Sequence, residues 1–211
     1  VAFYVLAALQ RLMQEEGRWR AQNRPVSTWL DLVALGTVAD LVPLDANNRV
    51  LVAQGMKRIN AGHCVAGIRA LLLVAQRAGN EVVAADLGFT VAPRLNAAGR
   101  LDDMSIGIRC LAGDEEAEVR ALAVQLDQLN RQRREIEGQM QEQAMAAIRG
   151  LPPLSASSRH AGLCLFDAGW HQGVVGLVAS RVKDRAARPV IAFAPAGDDQ
   201  TLRGSARSIA G

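Results

Sequence analysis

Apolar residues recur at helical spacing along most of the chain, and short breaks bearing Gly, Pro or Asn outline its elements. Residues 3–16 carry Val5, Leu6, Leu9 and Leu12 on one face, with Arg11 and Glu15 off it. That pattern predicts an amphipathic helix closed by Gly17. Asn23-Arg24-Pro25 is a connection, and the run beginning at Trp29 is then apolar at Leu32, Val33 and Leu35 before it breaks at Gly36-Thr37. A short apolar run of this kind reads as a buried strand of a parallel sheet. Asp45-Ala46-Asn47-Asn48 forms a turn with helix-capping chemistry. Residues 49–59 follow as a helix with Val50, Leu51, Met56 and Ile59 inward, closed by Asn60-Ala61-Gly62; a second helix takes 65–78 and ends at Gly79-Asn80.

The segment 86–101 departs from this rhythm, with Pro93, two Gly and two Arg inside an otherwise apolar run. Residues 103–111 form a short helix, and Gly113-Asp114-Glu115-Glu116 is a strong helix start, with carboxylates at the positive end of the macrodipole. From there to Arg149 only Gly138 interrupts. Val119, Leu122, Leu126, Leu129, Ile136 and Met140 make a three-four stripe broken by Arg133. About 35 residues at 1.5 Å each give a rod of roughly 50 Å, the length of a connector between domains. A self-associating coiled coil is the rival, weakened by the Arg in the seam.

Gly150-Leu151-Pro152-Pro153 ends the rod, and 155–158 is a polar linker. A second α/β unit follows: a strand at 163–166, a helix at 173–185 and a strand at 189–194. Gly197-Asp198-Asp199-Gln200 then makes a hairpin turn into a strand at 201–208.

Composition narrows the class. The chain has 211 residues, half of them hydrophobic and 21% charged, as expected of a globular protein with a real core. No stretch is long and apolar enough to span a membrane. A net charge of +3 does not by itself imply nucleic acid. Arg, however, greatly outnumbers Lys, and Arg suits bidentate phosphate contacts. Cys64, Cys110 and Cys164 are widely spaced and odd in number, which fits free thiols in a reducing cytoplasm rather than a disulfide framework or a zinc site. A start at Val1 inside a helix, and a stop just after a strand, lead us to expect a piece of a longer protein.

Three places carry candidate chemistry. Asp40 falls where the expected strand ends, the edge at which open α/β sheets bind ligands. With Gly36 allowing close approach it is a candidate metal ligand, or alternatively a helix cap or turn residue. Arg94, Asn96 and Arg100 either line a groove that carries phosphates or belong to a loop entering a helix, with the two Arg solvated. In the second unit, Gly169-Trp170-His171-Gln172-Gly173 is a Gly-rich strand-to-helix turn, a ready anion site; Trp170 can stack a base and His171 can donate to a phosphate. Further on, Arg203, Ser205 and Arg207 share one face of a strand. Two guanidinium forks flanking a hydroxyl suit a terminal phosphate dianion, with solvated edge-strand Arg as the alternative.

Four motifs, taken in order, resemble those of the DHH/DHHA1 phosphoesterase superfamily, and most closely its bacterial exonucleases that digest single-stranded DNA from the 5′ end. They are Leu35-Gly36-Thr37-Val38-Ala39-Asp40-Leu41-Val42-Pro43-Leu44, Pro93-Arg94-Leu95-Asn96-Ala97-Ala98-Gly99-Arg100, Gly169-Trp170-His171-Gln172-Gly173-Val174-Val175-Gly176 and Arg203-Gly204-Ser205-Ala206-Arg207-Ser208. The resemblance implies an α/β fold: the C-terminal part of a parallel-sheet DHH domain at 1–85, a connecting segment with a long helix at 86–150, and a truncated DHHA1 domain at 151–211. It implies that Asp40 ligates one of two Mn²⁺ or Mg²⁺ ions, and that Arg94, Asn96, Arg100, Trp170, Gly173 and Arg203 contact single-stranded DNA. His171 would face the scissile phosphate, while Ser205 and Arg207 would hold the 5′-phosphate. A two-metal site activates water with one ion and stabilises in-line displacement with both.

The departures matter as much. The chain has neither the family's Asp-x-Asp near a Gly-rich strand nor its Asp-His-His, and Asp40 alone cannot hold two hard dications. The expectation is therefore a cytoplasmic exonuclease acting in DNA repair and recombination, of which this piece is inactive. Missing strands would leave apolar sheet surface exposed and favour an adventitious dimer. Two alternatives stay open. One is a related phosphoesterase acting on short oligonucleotides or cyclic dinucleotides, against which stands Gly204-Ser205-Ala206-Arg207 in place of a Gly-Gly-Gly-His-type motif. The other is a non-catalytic interaction module that assembles through the long helix.

Overall fold

The computed structural model describes residues 1–20, 24–77, 79, 81–149, 162–197 and 201–209. Several expectations lie outside the described residues: Asn23 of the first connection, the helix end at Ala78 and Asn80, the breaks at 150–153 and 155–158, and Asp198-Asp199-Gln200 of the hairpin turn. The chain divides into two compact units. The first comprises Val1–Ala98 with Asp103–Gln128, the second Gly99–Asp102 with Leu129–Gly211. The segment expected to connect two domains is thus shared between the units.

The first unit is helical among its described residues: α1 (Ala2–Glu15), α2 (Leu30–Ala39), α3 (Ala46–Asn60), α4 (Ala66–Val74), α5 (Ala84–Asp86), most of α6 (Ala92–Leu101), α7 (Ser105–Ala112) and the first part of α8 (Glu116–Arg149). The strand expected from Trp29 onward is α2 instead. Its buried residues Asp31, Ala34 and Leu35 recur at helical spacing, a period the continuous apolar run conceals. The Asp31 carboxylate, fully buried, accepts the Val65 amide at 2.7 Å and the Leu32 amide at 2.9 Å, which ties α2 to the start of α4.

Close packing of α2 on α3 explains Gly55. A Cβ there would lie 2.2 Å from the Leu30 carbonyl oxygen and 2.5 Å from Ala34 Cβ. The inward stripe of α3 is accordingly Val52, Gly55 and Ile59; Leu51 and Met56 are half-buried, and Val50, expected inside, is exposed. In α1 the expected apolar face also points outward: Val5, Leu6, Leu9 and Leu12 are 62, 39, 49 and 51% exposed. The opposite face meets the unit, where Gln10 Oε1 accepts the Val26 amide. This unit holds no strand among its described residues, so the exposed apolar stripe of α1 is a helix face and not the expected sheet surface.

In the second unit, β1 (Leu163–Phe166) pairs in parallel with β2 (Val190–Pro195), and β3 (Leu202–Arg207) pairs antiparallel with β2. The helix α9 (Val175–Ala186) crosses between β1 and β2, as a parallel pair requires. Its Val175, Val178, Ala179 and Val182 pack with Leu163, Leu165, Val190, Ala192 and Ala194, and Met140 and Ala144 of α8 join the same core. The alternate strand residues Cys164, Phe166 and Ile191 are exposed.

The long helix has 34 residues and buries the expected stripe at Val119, Leu122, Leu126 and Met140. Its middle is a polar band: Asp127 and Asn130 are buried, and Arg133 pairs with Glu137 and donates to Asn130 Oδ1 at 3.0 Å. Burial lowers the pKa of the Arg133 guanidinium, and the facing Glu137 carboxylate opposes that shift.

Candidate nucleic-acid interface

The sequence-predicted residues divide between the units. In the first, Asp40 does not follow a strand; it caps the C-terminus of α2 and is exposed, with Leu41 beyond it at a positive φ of 53°. No group of three or more His, Cys, Asp or Glu arranged to hold a metal occurs among the described residues. The described residues therefore do not assemble the donor set of a two-metal centre.

The 86–101 segment is a π-helical turn at Leu87–Val91 running directly into α6. Arg94 is neither solvated nor free. Its guanidinium bonds Asp127 through Nε at 2.9 Å and Nη2 at 2.8 Å, and donates from Nη1 to the Thr90 carbonyl at 2.6 Å. Both side chains are nearly buried, so the pair is a structural tie between α6 and α8 within the unit. Asn96, on the other side of α6, is exposed. Sequence reading missed Asp127. Its signal was a lone carboxylate beside the apolar stripe of α8, next to Leu126.

In the second unit the Gly-rich turn is held from several sides. Trp170 is buried, and its indole N–H donates to Gln143 Oε1 of α8 at 2.9 Å, so the ring is a core residue and not a base-stacking platform. Gly173 is required by packing, since a Cβ there would lie 2.0 Å from the Arg100 carbonyl oxygen. Neither polar group of Gly173 is open to a phosphate. Its amide donates to His171 Nδ1 at 3.1 Å, and its carbonyl accepts from Arg100 Nη1 at 3.3 Å. With Nδ1 accepting, the neutral imidazole of His171 carries its proton on Nε2 and can donate there. Arg100 is thus a brace of this turn, and Gln143, which sequence reading also missed, is another.

Beyond the turn, α9 begins; the Leu177 amide donates to the Val174 carbonyl at 2.9 Å, and the Val175 and Gly176 amides before it have no acceptor among the described residues. Strand β3 packs alongside. Its Arg203, Ser205 and Arg207 oppose Ala194, Ala192 and Val190 of β2 and so share the face toward α9. Arg207 Nη1 donates to Ser205 Oγ at 2.8 Å and to the Ala206 carbonyl at 2.7 Å. A Cβ on Gly176 would lie 3.0 Å from both Ser205 Oγ and Arg207 Nη2, so the glycine leaves the hydroxyl and guanidinium open beside the helix start. Backbone amides, a hydroxyl and a guanidinium converging in this way suit a phosphate dianion.

These two units are a segment of the DHH/DHHA1 phosphoesterase architecture. No protein-family model matches the chain. It is 54% identical over 214 residues to the single-stranded-DNA-specific exonuclease RecJ of Escherichia coli, covering 100% of this chain and 37% of that protein. The RecJ of Thermus thermophilus is 36% identical over 210 residues, with 28% of its length covered. Among solved structures, RecJ from Thermus thermophilus in complex with Mg²⁺ superposes with a TM-score of 0.78 at 34% identity, over all of this chain and 30% of that one. Exonuclease RecJ bound to manganese gives 0.78 at 33% identity, over 48% of its chain. The chain belongs to the RecJ family and spans just over a third of the length of its Escherichia coli relative.

Proposed function

We propose that this chain is an internal segment of a metal-dependent exonuclease that hydrolyses single-stranded DNA from a 5′ end, in the cytoplasm, during repair and recombination. Its own contribution is to grip the 5′-phosphate. The observation that carries this reading is the pairing of Ser205 and Arg207 beside Gly176 at the start of α9. Arg207 neutralises the terminal phosphate, Ser205 and the first amides of α9 orient it, and Arg203 follows on the same strand face. His171 donates from Nε2 to the adjoining scissile phosphate, held in place by Trp170 and Arg100.

Asn96 adds a contact along the strand, and Arg94 acts through Asp127 and not by touching DNA. Metal chemistry, with Mn²⁺ or Mg²⁺, belongs to the whole protein, where Asp40 joins ligands supplied from outside this segment. The segment alone hydrolyses nothing.

The test compares binding of this chain to one strand carrying a 5′-phosphate and to the same strand ending in 5′-hydroxyl. The phosphorylated end should bind better, and Arg207→Ala should abolish the difference. Equal binding of the two ends by the unaltered chain would refute the end-gripping role.

A further inference from the structure

We propose a second nucleic-acid contact in the same unit: the groove between α8 and α9 receives the phosphodiester backbone of single-stranded DNA away from its 5′ end. The inference rests on the DNA reading above but not on the end pocket. The groove has a volume of about 460 Å³, with Arg134, Gly138 and Gln141 on the α8 side and Arg181 and Arg185 on the α9 side.

Two carboxylates also line it, and both are already matched. Glu137 is paired with Arg133 through Oε2, and its Oε1 lies 3.5 Å from Arg181 Nε. Asp184 lies 2.7 Å from Lys183 Nζ. Arg134 and Arg185, in contrast, are exposed and make no hydrogen bond or ion pair among the described residues. The groove therefore presents two unneutralised guanidinium groups and a partly neutralised third.

Gly138 is the independent observation. A glycine inside a helix costs about 1 kcal/mol relative to alanine, and packing gives no reason for it here. A Cβ would meet nothing within 4 Å, and the backbone is not left-handed. The missing side chain leaves room at the groove wall for something outside the chain to lie against α8. Guanidinium forks and the Gln141 amide supply hydrogen-bond donors, and among the described residues no aromatic or large apolar side chain lines the groove. That lining selects phosphates over bases or an apolar peptide.

Binding of this chain to an oligothymidylate with a 5′-hydroxyl, followed across salt concentrations, tests the inference. Arg134→Ala/Arg185→Ala should weaken binding roughly tenfold and flatten the log–log salt slope by about 1.4, or 0.7 for each phosphate released. Gly138→Leu should weaken binding while raising thermal stability, an outcome that damage to the fold does not produce. Both variants should keep whatever preference for a 5′-phosphate the unaltered chain has. Groove-dependent binding without any 5′-phosphate preference would sink the end pocket and leave the groove standing. Unchanged affinity and salt slope in the double variant would overturn the groove alone. So would an oligoglutamate peptide that binds through Arg134 and Arg185 when the strand does not.

Discussion

Arg207 reaches Ser205 through a single 2.8 Å hydrogen bond, and both end beside Gly176 of α9. The pair is local in sequence, but its setting is not. It depends on β3 running antiparallel to β2 and on α9 crossing the same sheet face. Gly176→Ala places a methyl 3.0 Å from both polar atoms, in the space a phosphate would take. The Arg207 tip can move aside and alanine favours helix, so the fold should hold or gain stability. Affinity for a 5′-phosphorylated strand should nevertheless fall by about tenfold, the value of one charge-assisted hydrogen bond. Titration and thermal melting on the same variant separate the two effects.

The nearly buried Arg94–Asp127 pair makes a different kind of prediction. Removing one partner strands a charge, and Asp127→Ala should cost about 3–5 kcal/mol. An apolar double replacement, Arg94→Met/Asp127→Leu, should recover most of that. If Arg94→Met weakens DNA binding and leaves the urea midpoint unchanged, the structural assignment fails.

Gly55 should tolerate nothing larger. Alanine normally stabilises a helix interior by about 1 kcal/mol relative to glycine. Here the added methyl would overlap the Leu30 carbonyl at 2.2 Å, so the sign reverses. A loss of about 1–3 kcal/mol is expected in denaturant unfolding.

The cysteines give a pH signature. Burial pushes the Cys110 thiol from 9.0 up to about 11, and Cys64 shifts in the same direction, chiefly through burial. Below pH 9 folded and unfolded chains both hold the Cys110 proton, and its contribution is fully present. As pH rises further the unfolded chain ionises first, so stability falls by roughly 1.4 kcal/mol per pH unit until the folded thiol also titrates near 11. Cys110→Ala should remove that part of the slope. In thiol labelling of the native chain, exposed Cys164 should react quickly and the two buried thiols only on unfolding.

Self-association should run through α1. Its outward Val5, Leu6, Leu9 and Leu12 form an exposed apolar stripe of the kind that marks an interaction surface. We expect light scattering to report a dimer at high concentration and Leu9→Glu to restore the monomer. A monomeric mass across the concentration range would remove the stripe from consideration.

Periodicity made the long helix, the βαβ unit and the face shared by Arg203, Ser205 and Arg207 legible, because each is a repeat of a few residues along one element. The same reasoning failed at α2. Ten residues with almost no polar contrast carry no usable period, so a buried helix there looks like a buried strand. It failed again on which faces of α1 and α3 turn inward, since a stripe shows that a helix has two faces but not which neighbour is present to cover one.

By itself, the sequence determined the four motifs, the RecJ resemblance and the residue types of the phosphate grip, all of which are local chemistry. Tertiary structure alone decided which of those residues are open to a ligand. Arg94 is taken by Asp127, Trp170 by Gln143, and Gly173 by His171 and Arg100, whereas Ser205 and Arg207 stay open beside Gly176. The physical reason is that a buried polar group must find a partner, and partners 27, 33 or 73 residues away leave no mark on local spacing.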